Sequence, residues 1–339
     1  GRPVSAQGAE RGDATMSTKR RNWSTIRSAM KEAVSRWIYD PNVMYVDFGW
    51  RERGGVLRDT EPPCIRVHVI KKLAEPALQV AMSRGVTGGW IEDTIAGFPV
   101  DVPEESFRLQ QPGWGGRWWQ QADPRKGRSD PMQGGISVSD GYRYIAGTLG
   151  GLVKDRESGK PMLLSNFHVL AGSWYARAGW PICQPGRGDG GGPADLVARL
   201  SRHAMASDLD AAVAELTGSR KLVNNQLELA PVTGMGWAQV GMKVIKSGRT
   251  SGVTRGRVTG VEGTVKLRYS GVKRLIRNVI KIEPRRGPDV SSPGDSGSFW
   301  LDEETMKAVG LHFASGERSM DGLAIDMAPV LEALDVIIG

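Results

Sequence analysis

The chain has 339 residues, 40% of them hydrophobic, enough for a substantial buried core and for more than one small folded unit. It carries 45 Lys and Arg against 37 Asp and Glu, a formal net charge of +8, with only two cysteines and four histidines. These totals exclude a disulfide-framed scaffold; there is also no long apolar run of the kind that crosses a bilayer, and no Cys-x-x-Cys or His-x-x-x-His spacing to hold a metal.

Residues 1–21 read as a flexible tail or an appended remnant, since the first methionine is Met16 and no charged-then-apolar secretory signal follows it. Together with the scarcity of cysteine, this predicts a reducing, cytoplasmic setting. From Trp23 to Tyr39 the apolar positions Ile26, Met30, Ala33, Val34 and Trp37 have helical spacing, stopped by Asp40-Pro41-Asn42. Val43–Gly49 and Cys64–Lys71 read as strands of a hairpin with a long loop, His68 lying on a solvent or half-buried face. A short helix over Pro76–Arg84 and a strand at Phe98–Val102 complete a small α/β domain, residues 22–103. Residues 104–131 have little periodicity and read as a linker, whose Trp114, Trp118 and Trp119 are expected to lie against the rest of the molecule.

Residues 132–339 show many short strand-like runs punctuated by glycine, as at Ala146–Val153 and Val240–Arg257, a β-barrel pattern. His168 ends the apolar run that starts at Leu163, whereas His203 falls in a polar turn. In Ser207–Leu216, Asp208 and Asp210 both precede an apolar strand, and Asp210 is preferred as the acid that orients an imidazole because it directly abuts Ala211-Ala212-Val213. In Ser292–Ser298 the glycines allow a tight turn that presents the Ser296 hydroxyl and brings the Gly294 and Ser296 amides toward one point. Two such donors form an oxyanion hole, and a serine needs a base and an orienting carboxylate to act as a nucleophile. Ala328–Ile338 reads as a final short helix carrying Val330, Leu331 and Leu334 against the second barrel.

His168 in Ser-Asn-Phe-His-Val-Leu, Asp210 in Asp-Ala-Ala-Val and Ser296 in Gly-Asp-Ser-Gly-Ser resemble the triad of trypsin/chymotrypsin-like serine proteases, in the same chain order, over roughly residues 130 to 339. The resemblance implies a mainly β, chymotrypsin-like double six-stranded barrel, here preceded by the small α/β domain. It implies a serine endopeptidase with a protein or peptide substrate, no cofactor and no membrane association. Within the family the layout is most similar to disulfide-free bacterial relatives of the plant narrow-leaf trypsin-like protein, on Gly49–Gly55, Gly147–Gly150 and Gly248–Gly252. That branch implies an intracellular regulatory or defence role and a possible regulatory protein partner.

His312, Phe313, Ala314 and Ser315 follow the nucleophile where the family builds one wall of its primary pocket. His312 is placed like a histidine that helps glutamyl endopeptidases bind an acidic side chain, while Phe313 could instead close the pocket in favour of small or apolar groups. Val290 offers no trypsin-like acid, although Asp289 adjoins it, so a preference for Lys or Arg is not supported. The resemblance also places a structural ion pair or hydrogen bond on Asp295. No Ile-Val-Gly-Gly start lies ahead of residue 135, so no trypsin-style activation cut is expected.

The net charge raises a second class, a catalytically idle scaffold binding peptides or nucleic acid. Its basic clusters, Lys19-Arg20-Arg21, Lys273-Arg274 and Arg285-Arg286, are scattered and lack interleaved aromatics, so a solvated face explains them and nucleic acid is disfavoured as a partner. The oligomeric state is left open.

Overall fold

The computed structural model describes residues 11–110, 123–286, 290–317 and 320–339. The protein is mainly β, with two large curled sheets. The first runs in the order Gly147–Thr148, Ser137–Asp140, Pro181–Cys183, Leu196–His203, Ala212–Leu216, Pro161–Ser165, Gly151–Asp155 and Val336–Ile338. In the second, Lys243–Gly248, Phe299–Asp302, Ala308–Gly316, Gly322–Asp326, Val272–Arg286 and Gly252–Tyr269 are neighbours in that order, and Lys243–Gly248 also pairs with Gly252–Tyr269, so this path returns on itself.

Gly252–Tyr269 is long enough to do two things. Its first part pairs with Lys243–Gly248, and its second part accepts Val43–Gly49 through pairs such as Tyr45 with Val265 and Gly49 with Gly260. Cys64–Val69, Phe98–Asp101 and Thr94–Ile95 then extend the same sheet. The sheet is therefore continuous across the stretch where the sequence suggests a boundary, and the expected hairpin Val43–Gly49/Cys64–Val69 is one of its antiparallel pairs.

The helix Arg11–Trp37 starts earlier than its predicted Trp23, inside the expected tail. It buries Ile26, Ala29, Met30, Ala33, Val34 and Trp37 against Val46, Phe48, Ile65 and Val67 of this extension and Val258 of Gly252–Tyr269, at about 1.5–3 kcal/mol for each large side chain. A second apolar core lies where the two sheets meet and includes Leu163, Leu164 and Val213 of one with Phe299, Leu311 and Phe313 of the other. Trp114, Trp118 and Trp119 lie outside the described residues. The chain ends differently from expectation: the helix Met327–Ala333 is followed by the strand Val336–Ile338, which joins the first sheet by pairing with Gly151–Asp155. Alternation is too short there to mark a strand, and only the open edge of Gly151–Asp155 creates one. Among the described residues no helix is long and apolar enough to cross a membrane.

Charge is buried where the added strands meet the second sheet. Asp47 and Arg66 are fully buried and paired, with Arg66 Nε donating to Asp47 Oδ1 at 2.8 Å. His68, far from half-exposed, is also fully buried, with Nε2 3.1 Å from Asp47 and Nδ1 3.2 Å from Glu105. Lys281 continues the chain of charges, 3.0 Å from Glu105 and 2.8 Å from Asp321. Buried ions of this kind are tolerated only when paired, so the network anchors Glu105 and with it the segment that follows.

Candidate active site

The turn Ser292–Ser298 is shaped from inside by Asp295. Its buried carboxylate accepts from the amides of Ser292 at 3.0 Å, Thr250 at 2.9 Å and Ser251 at 3.1 Å and from the Ser251 hydroxyl, and it pairs with Lys246 Nζ at 2.9 Å. Burial alone would raise this carboxyl, but Lys246 and the converging donors hold it well below the usual carboxylate range, so it stays ionised. The ion-pair partner suggested for Asp295 is thus a lysine already in the chain, on the strand Lys243–Gly248.

Gly294 has φ +104°, and a Cβ on it would lie 2.5 Å from Thr250 Oγ1 and 2.6 Å from Arg249 Nη1, so only glycine fits. The Pro293 carbonyl accepts from the Thr250 hydroxyl at 2.9 Å, and the Gly294 carbonyl from the Thr148 hydroxyl at 2.8 Å. Because the C=O and N–H of a trans peptide point in opposite directions, the first of these bonds turns the Gly294 N–H away from Thr250. Neither the Gly294 nor the Ser296 amide donates to an acceptor among the described residues.

His168 lies in the short helix Phe167–Leu170, directly after the strand Pro161–Ser165. Its Nδ1 is 2.5 Å from Asp210 Oδ2, and its backbone amide donates to Asp210 Oδ1 at 3.1 Å. Tyr269 donates its hydroxyl to Asp210 Oδ2 at 2.9 Å, and the Asn166 side chain donates to the Asp210 carbonyl at 2.7 Å. Burial, reinforced by Asp210, pushes the Tyr269 phenol well above its ordinary value, so it remains a donor. With the Nδ1 proton given to Asp210, Nε2 carries the free lone pair; it is buried and has no hydrogen-bond partner among the described residues. Asp208, the competing acid, points elsewhere: it sits at φ +58° and accepts from Arg277 Nε at 2.9 Å.

The Ser296 turn packs against the His168 element, since Thr148 N donates to the Ser296 carbonyl at 2.8 Å and a Cβ on Gly297 would meet Ser165 Oγ at 2.1 Å. The Ser296 hydroxyl itself is fully buried and donates to the Gln110 carbonyl at 3.1 Å, with the Phe313 carbonyl at 3.4 Å. The structure thus joins His168 to Asp210 and directs Ser296 Oγ to a backbone carbonyl from the N-terminal part of the chain.

His312 is fully buried beside this point. Its Nδ1 accepts from Trp300 Nε1 at 3.3 Å, which leaves Nε2–H as the donor to Gln110 Oε1 at 2.9 Å. Burial, aided by the charge of Lys246, pushes its pKa down to about 3, so the imidazole is neutral. Phe313 buries its ring in the core shared by the two sheets and presents only its carbonyl to the site, so that residue does not contribute its ring as a pocket lid. Ala314 and Ser315 pair as strand residues with Leu109 and Arg108.

Sequence reasoning did not single out Gln110, Ser291, Trp300, Tyr269 or Lys246. Lys246 carried a signal, a cation directly after the apolar Val244-Ile245 of a strand, which needs an anion if that strand is buried. Gln110 and Tyr269 carried none, because both reach the site from distant parts of the fold.

No family model matches the chain. Over 131 residues it is 34% identical to serine protease 2 of Streptomyces fradiae, an alignment that covers 38% of this chain and spans 63% of that relative's length. In fold it is similar to the chymotrypsin of Cellulomonas bogoriensis, at 19% identity and a TM-score of 0.45, over 61% of this chain and 98% of that one. It is likewise similar to a glutamic acid specific serine protease that uses a histidine triad in substrate binding, at 19% identity and a TM-score of 0.46, over 61% of this chain and all of the other.

Proposed function

We propose that this chain is a serine endopeptidase in which Ser296 is the nucleophile, His168 the general base and then the general acid, and Asp210 the group that orients the imidazole. The observation that carries this reading is the 2.5 Å contact between His168 Nδ1 and Asp210 Oδ2, with the opposite ring nitrogen unpartnered and the Gly-Asp-Ser-Gly turn packed alongside. His168 Nε2 takes the Ser296 proton as Oγ adds to a peptide carbonyl, the Gly294 and Ser296 amides receive the negative oxygen, and His168 returns the proton to the departing amine. Asp210 is held by four contacts from three residues, Asn166, His168 and Tyr269, which favours one ring orientation throughout the cycle.

The strand orders support two six-stranded barrels, because six strands of the second sheet form a path that returns on itself, and in the first Gly147–Thr148 and Gly151–Asp155, nearly continuous in the chain, flank the other five strands, with Val336–Ile338 added outside them. The small hairpin Glu52–Arg53/Val56–Leu57, turning at Gly54 and Gly55, falls in the first of the three stretches, with Gly147–Gly150 and Gly248–Gly252, on which the resemblance to the narrow-leaf branch rests.

The test is Ser296→Ala. It should abolish peptide hydrolysis and fluorophosphonate labelling, a loss of about 10⁶-fold in rate, with the far-ultraviolet circular dichroism spectrum unchanged. Undiminished labelling of the folded variant would remove Ser296 from the role.

A further inference from the structure

Phe107–Leu109 pairs antiparallel with the last part of Ala308–Gly316, and Gln110 then brings its carbonyl oxygen to 3.1 Å from Ser296 Oγ, with its side chain between His312 Nε2 at 2.9 Å and Ser291 Oγ at 2.7 Å. An extended chain on this edge therefore reaches the nucleophile from one side only. Beyond the carbonyl that meets Ser296, a bound chain leaves on the opposite side, past His168, the group that protonates the departing amine in the proposed mechanism. Two loops and a hairpin tip form that side. Residues 141–146 run directly into Gly147–Thr148, where the Thr148 amide holds the Ser296 carbonyl, and Arg143 Nη2 donates to the His168 carbonyl at 3.0 Å and the Val169 carbonyl at 3.3 Å. Residues 172–180 follow the His168 helix: a Cβ on Gly172 would clash with the Arg143 guanidinium, and the Tyr142 and Trp180 rings meet edge to face at 5.0 Å. The tip between Gly252–Tyr269 and Val272–Arg286 is tied to the same place by the bond from Tyr269 to Asp210 and by Arg274, which lies over the Trp174 ring.

This side is aromatic and basic. Tyr142 is 60% exposed, Tyr144 69% and Tyr175 87%. One exposed ring is ordinary, but several around one site mark a contact surface. The Arg187 guanidinium lies over the Tyr144 ring at 4.5 Å and that of Arg274 over Trp174 at 4.7 Å. A guanidinium laid flat on a ring still presents N–H donors at its edge, the geometry that suits a carboxylate, and it covers a ring face on which a nucleic-acid base would stack. The acids on these elements, Asp140 and Asp189, are already taken by Arg143 and Arg249. Arg177, Arg187, Lys273 and Arg274 pair with no carboxylate among the described residues, so the surface has cations to spare.

From this arrangement we infer that the surface around Tyr144, Trp174, Tyr175, Arg187 and Arg274 binds an acidic, extended segment of a protein substrate, the part that follows the bond to be cut. The inference deepens the serine endopeptidase reading and rests on it for the direction in which the chain leaves. Binding here is made equally in the bound substrate and in the transition state, so it lowers KM and leaves kcat nearly unchanged. Because the cations are exposed, the effect is screened by salt.

The test is binding to the full-length Ser296→Ala variant, followed by fluorescence anisotropy at low salt with three probes: labelled Ser-Glu-Asp-Glu-Phe-Asp, labelled Ser-Gly-Ser-Gly-Phe-Gly, and a labelled oligothymidylate of the same charge as the acidic peptide. The acidic peptide is expected to bind about tenfold more tightly than the neutral one, the worth of two exposed charge pairs, and to lose that advantage at about 1 M salt. Adding Arg187→Gln and Arg274→Gln should remove the difference. Arg156→Gln with Arg257→Gln, which takes the same two charges from ion pairs on other elements, should leave it in place. Equal binding of the two peptides, or equal losses in the two double variants, would overturn the inference. An oligothymidylate bound more tightly than the acidic peptide would overturn it in favour of nucleic acid. Fluorophosphonate labelling of the unsubstituted chain is read in parallel: selective binding by a chain that takes no label would sink Ser296 as the nucleophile and leave this surface standing.

Discussion

The two sheets contribute to the candidate site in different ways. The first supplies His168 just after the strand Pro161–Ser165 and Asp210 just before its neighbour Ala212–Leu216, and the pairing of Ser165 with Ala212 places the two side chains together almost automatically. The second supplies Ser296, His312 and the strand edge that holds Phe107–Leu109, and it is the one extended outward by N-terminal strands. A local ladder is enough to join the proposed base to its proposed orienter. Bringing the Ser296 hydroxyl to the Gln110 carbonyl takes a turn held by a buried ion pair and a segment delivered from far away in the chain.

The sharpest way to break this contrast is at the first sheet. Asp210→Asn should leave the pairing intact but hold His168 in the wrong tautomer, and kcat is expected to fall about 10⁴-fold in steady-state assays. On the second sheet the weak point is Lys246. Lys246→Met strands the ionised Asp295 in a dry interior, and urea unfolding should show a loss of about 3–5 kcal/mol. Unchanged stability would mean that the hydrogen bonds from Ser292, Thr250 and Ser251 suffice to hold the turn.

His312 distinguishes recognition from chemistry. His312→Leu leaves the glutamine amide without its donor, and kcat/KM for a Leu-Gln peptide should drop about 10–100-fold. A peptide with alanine in place of glutamine should lose less. The same residue has a pH signature. The folded pKa of about 3 lies below the ordinary value near 6.5, so protons bind the unfolded chain more readily. Its contribution to stability is therefore complete above about pH 6.5 and is lost as the pH falls toward 3. Urea midpoints measured at pH 7 and pH 4 should differ less for His312→Leu than for the unsubstituted chain.

The smallest effect is expected at Asp208, which pairs with Arg277 at the surface. Asp208→Ala should cost about 1 kcal/mol or less and leave kcat unchanged. A large loss of activity there would reverse the assignment of the two acids.

The amino-acid sequence by itself determined the residue types needed for the chemistry and their order, because glycine at 294 and 297 and an acid before an apolar run are requirements of local backbone and local burial. It also determined the amphipathic face of the first helix, whose 3–4 spacing is a local property. It could not show that His68 would be enclosed by Asp47 and Glu105, that the last residues would become a strand, or that Gln110 would reach Ser296. Those outcomes depend on contacts between residues far apart in the chain. A strand edge accepts any extended backbone of suitable shape, so which segment fills it was decided only when the tertiary structure brought that segment to the open edge.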